Sequence, residues 1–200
     1  MTDVISKIHP SWFSVLPFHD VYELVAKKDP SNPYLSQYLI EAFGIEDLTL
    51  KAPSVPQELL MLCGLTMNEK KIKGLIRREQ QEALMAATSE DAYHFVLERS
   101  SFLSRVSLDF LVPEYGFWDS LEQIKEHLIH SGLRCLALAY SLESEDLRRL
   151  AFYTLPYEYS QLLESDEGFA ALNTEENQKL AHSLISKLAK EVTACLHFSA

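Results

Sequence analysis

The sequence predicts an all-α protein: a single compact domain of many helices, with an amphipathic C-terminal helix and little or no β-structure. Apolar residues recur in steps of three and four through residues 121–142 and again through 180–196, as they do along the buried side of a helix. Six glycines against eight prolines are few for an all-β chain of 200 residues, and a hydrophobic content of 47% excludes disorder. The length suits one domain over residues 1–200. A small N-terminal subdomain over residues 1–52 stays open, because residues 51–56 resemble a linker.

Charge and cysteine content narrow the class of protein. The formal net charge is −11, which disfavours nucleic acid or an anionic membrane as the main partner. Cys63, Cys135 and Cys195 are far apart and lie among apolar residues, so we expect reduced thiols in the core of a cytoplasmic protein. Residues 1–10 lack the apolar region of a signal peptide. The longest apolar runs fall short of the roughly 18 residues that span a bilayer.

The N-terminal part is predicted to contain an arm followed by two helices. The arm carries a distinctive His-Pro-Ser-Trp cluster, and four apolar residues are expected to pin it to the core: Trp12, Phe13, Val15 and Leu16. Helices are predicted over residues 18–28 and from a cap at Asn32 to Gly44. Gly44 suits the left-handed position that follows a helix C-terminus.

Shorter helices are predicted through the middle of the chain. One opens at Pro56 and ends at Gly64, and the next is capped by Asn68. Its inward-facing residues are expected to be Ile72, Leu75 and Ile76. Further helices are expected over residues 80–87 and from Ser89 to residue 97. Residues 101–112 are predicted to form helix and then extended chain, although the alternating apolar residues between 104 and 112 could also form one short strand pair.

Residues 118–156 are predicted to form a long helix, a tight break and a second helix. The apolar stripe of the first helix is small at Gly132, so another helix backbone can approach closely there. The opposite face is polar and consists of Gln123, Glu126, His127, His130 and Arg134. Ser144 is expected to cap the second helix and Pro156 to stop it.

The last helix has the clearest pattern. Asn173 and Glu176 match a capping box. The stripe that follows consists of Leu180, Ala181, Leu184, Ile185, Leu188, Val192, Cys195 and Leu196. Burying six such aliphatic side chains offers on the order of 10 kcal/mol before entropy is subtracted, so we expect the C-terminus to dock firmly.

Few residues suggest catalytic or metal chemistry. His127 and His130 lie three residues apart beside Glu126, so they could serve a small metal-dependent hydrolase or metal-binding protein. Arg134 shares that face and would repel a cation, and no third ligand is in register. The GxSxG, Walker A and GxGxxG motifs are absent from the sequence. We therefore predict no metal, no cofactor and no enzymatic activity. The acidic segments 143–146 and 164–167 are interpreted as a helix start and a solvated turn.

One dense basic cluster stands out in this acidic sequence: Lys70, Lys71, Lys73, Arg77 and Arg78. On one continuous helix, Lys70, Lys73 and Arg77 would lie along a single exposed side. We interpret the cluster as a candidate partner-docking strip, with a merely solvated helix face as the alternative.

Five stretches resemble, in order and spacing, the K component of the type III secretion sorting platform, the YscK/PscK/SctK family. They are His9-Pro10-Ser11-Trp12, residues 38–47 (YLIEAFGIED), 58–76 (ELLMLCGLTMNEKKIKGLI), 129–156 (IHSGLRCLALAYSLESEDLRRLAFYTLP) and 179–192 (KLAHSLISKLAKEV). The total length matches too, so the similarity spans most of the chain.

The resemblance implies a non-enzymatic, all-helical adaptor needed for injectisome assembly, protein secretion and hence virulence. The implied partners are the pod protein of the C-ring (SctQ type) and the cytosolic domain of the inner-membrane ring protein (SctD type). The stator protein (SctL type) would be an indirect partner. The implied location is the cytoplasmic face of the bacterial inner membrane. No individual site residue carries over, and the absence of an α/β pattern disfavours a secretion chaperone.

Overall fold

The computed structural model describes residues 8–15, 37, 41–44, 57–103, 108, 111–113, 118 and 120–198, the last six without their side chains. A 3-10 helix spans Pro10–Val15. The α-helices with described bounds are α1 Gln57–Met67, α2 Glu69–Lys73, α3 Arg78–Ala87, α4 Glu90–Leu103, α5 Leu121–Tyr140, α6 Glu145–Tyr153, α7 Tyr157–Glu164, α8 Phe169–Leu172 and α9 Glu175–Phe198. No strand occurs among the described residues, which confirms the predicted all-α class. The helix predicted over residues 18–28 and most of segment 104–112 lie outside them.

The chain divides into two compact units. One comprises Met1–Val55 and Glu143–Glu164, and the other comprises Pro56–Leu142 and Ser165–Ala200. The single domain over residues 1–200, and its alternative with a subdomain over residues 1–52, stay predictions.

Trp12 organises the described part of the first unit. Its indole Nε1–H donates a hydrogen bond to the Leu155 carbonyl, 2.7 Å away. The edges of the Tyr153 and Tyr157 rings pack against it, with centroids 4.7 and 5.0 Å distant. The predicted anchoring of the arm by Trp12 is therefore confirmed. Val15 is exposed instead, since it lies at the very end of the 3-10 helix.

Hydrogen bonds also hold α6 and α7, the helices of this unit whose bounds are described. The Ser11 hydroxyl accepts a 2.8 Å hydrogen bond from the Tyr157 N–H, one of the free donors at the start of α7. Gly44 has φ +60°, the left-handed conformation predicted for it, and its carbonyl accepts from Arg149 at 2.7 Å. Ser144 caps α6 as predicted, through the Leu147 N–H.

The second unit is built around α5, whose main neighbours are α1 and α9. Two glycines permit the contact between α1 and α5. A Cβ added at Gly132 would overlap the Leu60 carbonyl oxygen, and one added at Gly64 would overlap the Leu128 carbonyl oxygen. The predicted close approach at Gly132 is therefore confirmed. The prediction that the helix ends at Gly64 is wrong: α1 continues to Met67, because Gly64 provides space for α5 and is not a C-cap.

Two apolar clusters fill the second unit. The first joins α1, α4, α5 and α9 through residues such as Leu59, Cys135 and Leu184. The second cluster contains residues from each of the helices α1, α2, α3, α4 and α5, such as Leu65, Val96 and Leu128. Cys63 and Cys135 are buried free thiols, as predicted. The side chain of Cys195 is not among those that the structure describes.

Helix α9 docks through the predicted stripe, with Ala181, Leu184 and Leu188 fully buried. The predicted capping box at Asn173 and Glu176 is wrong by one residue. Thr174 lies before the helix, and its hydroxyl accepts from the Asn177 N–H at 3.3 Å. Asn173 contacts the Gln178 side chain instead.

Candidate partner-docking surface

The basic residues lie on two helices and the turn between them, not on one helix. Helix α2 ends at Lys73, with Gly74 as its C-cap, and Arg77 has an extended backbone (φ −79°, ψ 128°) before α3 begins at Arg78. The prediction that these residues share one continuous helix is therefore wrong. Gly74 lowers helix propensity by about 1 kcal/mol relative to alanine, and the helix ends there and does not continue through residues 75–77. All five basic side chains are nevertheless exposed. We call these five residues, together with Ile76 and Phe102, the docking surface.

Two apolar side chains project from this region. Ile76 was predicted to face inward, yet it lies in the turn between α2 and α3 and is 92% exposed; only Ile72 of the predicted trio is fully buried. Phe102, in the last turn of α4, is 83% exposed. Single exposed apolar side chains are common on protein surfaces, so these two define a candidate binding site only together with the basic cluster.

A polar network ties α2 to the last turn of α4, the turn that also carries Phe102. The Lys73 ammonium lies 2.5 Å from Glu69 and 2.7 Å from the Ser101 hydroxyl, and that hydroxyl also donates to Glu69. Burial would raise the pKa of Glu69, but the hydrogen bonds from Lys73 and Ser101 lower it. Because Ser101 and Phe102 are consecutive residues of α4, the network holds the backbone that carries Phe102 against α2.

Lys71 connects the docking surface to the core, because its side chain contacts the buried Trp118. Its ammonium lies 4.3 Å from the centre of the Trp118 ring, a cation–π contact. Burial lowers the pKa of Lys71. On its other side, the Trp118 ring meets His127 edge-on, with centroids 5.6 Å apart. The Trp118 Nε1–H has no hydrogen-bond partner among the residues that the structure describes.

His127, His130 and Arg134 are buried, although they were predicted on a polar face opposite the core. His127 Nε2 donates to the Asn68 carboxamide oxygen at 2.8 Å. Asn68 precedes α2 as predicted, but its side chain makes no cap; it donates to the Gly64 carbonyl and the Ser131 hydroxyl. His127, on the predicted polar face of α5, thus contacts the junction between α1 and α2.

Arg134 and Asp166 form a two-pronged ion pair. Arg134 Nε and Nη2 lie 2.5 and 2.6 Å from the two Asp166 oxygens, and Nη1 donates to the Leu111 carbonyl. His130 Nε2 adds a 2.8 Å hydrogen bond to Asp166. Segment 164–167 was predicted to be a solvated turn. The Asp166 side chain is instead only 4% exposed and binds this segment to α5.

His127, His130 and Asp166 each have a shifted pKa with an identifiable cause. Burial lowers the pKa of His127 to about 4, and the charges of Lys71, His130 and Arg134 act in the same direction. Burial also lowers the pKa of His130, against the opposing effect of Asp166. For Asp166, burial would raise the pKa, but the hydrogen bonds from Arg134 and His130 lower it.

This geometry does not favour the metal alternative. His127 and His130 are each hydrogen-bonded to a different residue, Asn68 and Asp166. Within the described residues, no three His, Cys, Asp or Glu side chains are grouped as a metal site requires.

The sequence revealed the charges of the docking surface but missed its apolar part. Ile76 fits the helical stripe of Ile72 and Leu75, so its pattern indicated burial. Phe102 lies beyond the point where helix α4 was predicted to end. The available signal for the end of α2 was Gly74, because glycine lowers helix propensity within a helical pattern.

The described residues form a helical protein whose surface carries basic side chains together with the exposed Ile76 and Phe102. A family described as YOP proteins translocation protein K (YscK) matches residues 22–199. The chain therefore belongs to the YscK family and is a component of a type III secretion system, which confirms the resemblance seen in the sequence. Comparisons with curated proteins and with solved structures found no match. None of the described helices is long and apolar enough to cross a membrane.

Proposed function

We propose that this protein is a structural adaptor of the cytoplasmic sorting platform. In this role it joins the cytosolic domain of the inner-membrane ring protein (SctD type) to the pod protein of the C-ring (SctQ type), and it works at the cytoplasmic face of the inner membrane without catalysing a reaction. The YscK family membership supports the place in the secretion apparatus. The family is one of secretion-system components and is not a known enzyme family.

The observation that carries the docking role is the exposure of Ile76 and Phe102 beside the basic residues. The complementary partner surface is acidic and offers apolar recesses for these two side chains. Charge complementarity then sets the orientation and the rate of encounter, while the buried apolar anchors supply most of the affinity.

Paired variants in cells that express the whole apparatus test this role. Arg77→Glu with Arg78→Glu removes the charge complementarity, and Ile76→Ser with Phe102→Ser removes the anchors. Both pairs are exposed, so the melting temperature should hardly change. Co-purification with the pod or ring protein, and secretion, should fall strongly in both.

The matched control is Lys179→Glu with Lys190→Glu, two exposed lysines of α9 outside the docking surface. It should assemble and secrete like the wild type. Normal assembly and secretion by both docking variants would refute the docking role.

A further inference from the structure

A groove opens in the second unit, away from the docking surface. Helices α1, α4 and α9 and the end of α3 line it, and its volume is about 420 Å³. Its floor is apolar and is formed mainly by Met61, Leu62, Phe95 and Val192. Leu62 and Phe95 pack against both apolar clusters of this unit, so the groove lies where the two clusters meet.

The rim of the groove is acidic. Glu58 and Asp91 are exposed carboxylates in the first turns of α1 and α4, and Glu191 of α9 also lines it. Arg99 pairs with Glu191 at 2.5 Å, but no lysine, arginine or histidine is among the lining residues that the structure describes. A ligand that covers the floor must therefore place cations, or no charge, at the edges.

We propose that this groove binds a basic amphipathic helix of a partner protein. The aliphatic side chains of that helix fill the floor, and its lysine or arginine residues meet Glu58 and Asp91. A helix presents apolar anchors at steps of three and four residues, which is the usual mode of binding in a groove between helices. The groove volume falls within the ~300–1,000 Å³ of typical binding pockets, enough for a few aliphatic side chains.

The groove and the docking surface require partners of opposite charge. An acidic segment that suits Arg77 and Arg78 would be repelled by the rim carboxylates, and a basic helix would be repelled by the docking surface. The groove is therefore a second, chemically distinct site. Its test does not depend on the proposed function, because it asks only what the isolated protein binds.

The probe is a fluorescently labelled synthetic peptide of leucine and lysine, amphipathic at the helical period and about five turns long. Fluorescence anisotropy measures its binding to the full chain. A second peptide keeps every leucine and replaces lysine by glutamate. We expect the lysine peptide to bind at least about tenfold more tightly than the glutamate peptide, with binding that weakens as salt rises. Equal binding of the two peptides would overturn the proposal.

Two variants place the binding in the groove. Ala92→Trp fills it from α4, and Glu58→Lys with Asp91→Lys reverses its rim at exposed positions, so this second variant stays informative if the first fails to fold. The control, Glu122→Lys with Glu126→Lys, makes the same charge change on exposed positions of α5. Peptide affinity should fall about tenfold in the rim variant and stay within about twofold in the control. Equal loss in both would show that only net charge matters, which would overturn the proposal.

A photo-crosslinking residue at position 92 identifies the occupant in cells with the whole apparatus. The sequence of the crosslinked segment is the readout. A basic amphipathic helix of another protein supports the proposal. An acidic segment, or a crosslink back to this chain, would overturn it.

Discussion

Arg134 and Asp166 show how single residues hold the second unit together. Their side chains are only 10% and 4% exposed, and the pair joins α5 to the loop before α8. Gly168 also donates its N–H to Asp166, at 3.2 Å. Removing one partner of a buried pair leaves an uncompensated charge in the interior, which costs more than the intact pair contributes.

Asp166→Ala should therefore destabilise the protein by about 3–5 kcal/mol, measured by urea unfolding. Glu167→Ala, at the exposed neighbouring position, should cost no more than about 0.5 kcal/mol. Replacing the whole pair, by Arg134→Met with Asp166→Leu, should recover part of the loss. Equal stability of the Asp166 and Glu167 variants would mean that the ion pair does not form.

The buried histidines make the fold sensitive to acid. The pKa of His127 is about 4 in the folded chain and ordinarily 6.5, so the folded state favours the neutral ring. This stabilisation is complete above pH 6.5 and is lost as the pH falls towards 4, by roughly 3 kcal/mol. The lowered pKa of His130 acts in the same direction. The lowered pKa of Asp166 adds a further loss at still lower pH, below its ordinary 3.8.

Urea unfolding at pH 7.5, 6 and 4.5 measures this dependence. The free energy of unfolding should fall from pH 7.5 to pH 4.5, and His127→Gln should make it depend less on pH. His94→Gln, which changes an exposed histidine, should leave the slope unchanged. Constant wild-type stability across this range would show that His127 is not buried as described.

At the scale of helices, the crossing of α1 and α5 determines the core of the second unit. Gly64 and Gly132 each face a carbonyl oxygen of the other helix. Asn68 joins the crossing through hydrogen bonds to Gly64 and Ser131. Any side chain at either glycine must push the backbones apart.

Gly132→Leu should destabilise the fold by at least about 1–3 kcal/mol through overpacking, and Gly132→Ala by a smaller amount in the same direction. Gly74→Ala is the control, because Gly74 has ordinary right-handed dihedrals and a Cβ there would lie 3.3 Å from its nearest neighbour, the Lys70 carbonyl oxygen. That substitution should change stability by less than about 1 kcal/mol. Thermal unfolding compares the three, and an unchanged melting temperature for Gly132→Leu would contradict the crossing.

The sequence predicted what depends on local pattern. The stripes of α5 and α9, the cap at Ser144 and the conformation of Gly44 follow from residue spacing and backbone preference. It could not predict contacts between distant residues. Asp166 lies 32 positions from Arg134, so nothing local indicates that its loop covers the polar face of α5. The exposure of Ile76 likewise depends on where α2 stops.

At the scale of the whole molecule, the charge is divided between distinct surfaces. The net charge is −11, yet the docking surface comprises five exposed basic side chains and two exposed apolar ones, and the groove carries carboxylates around an apolar floor. This division is what the proposed adaptor role requires, since two partners of opposite charge could each find a complementary surface. It also predicts that both interactions weaken as salt rises.

The most direct measurement is calorimetric binding of the purified chain to the purified pod protein and to the cytosolic domain of the ring protein. The titrations use the wild type, the Arg77→Glu/Arg78→Glu variant and the Lys179→Glu/Lys190→Glu control, at low and high salt. The adaptor account predicts binding to both partners by the wild type and the control. It also predicts that the docking variant weakens binding to one partner by at least about tenfold. Failure of the wild type to bind either partner, or equal affinities for all three proteins, would contradict it.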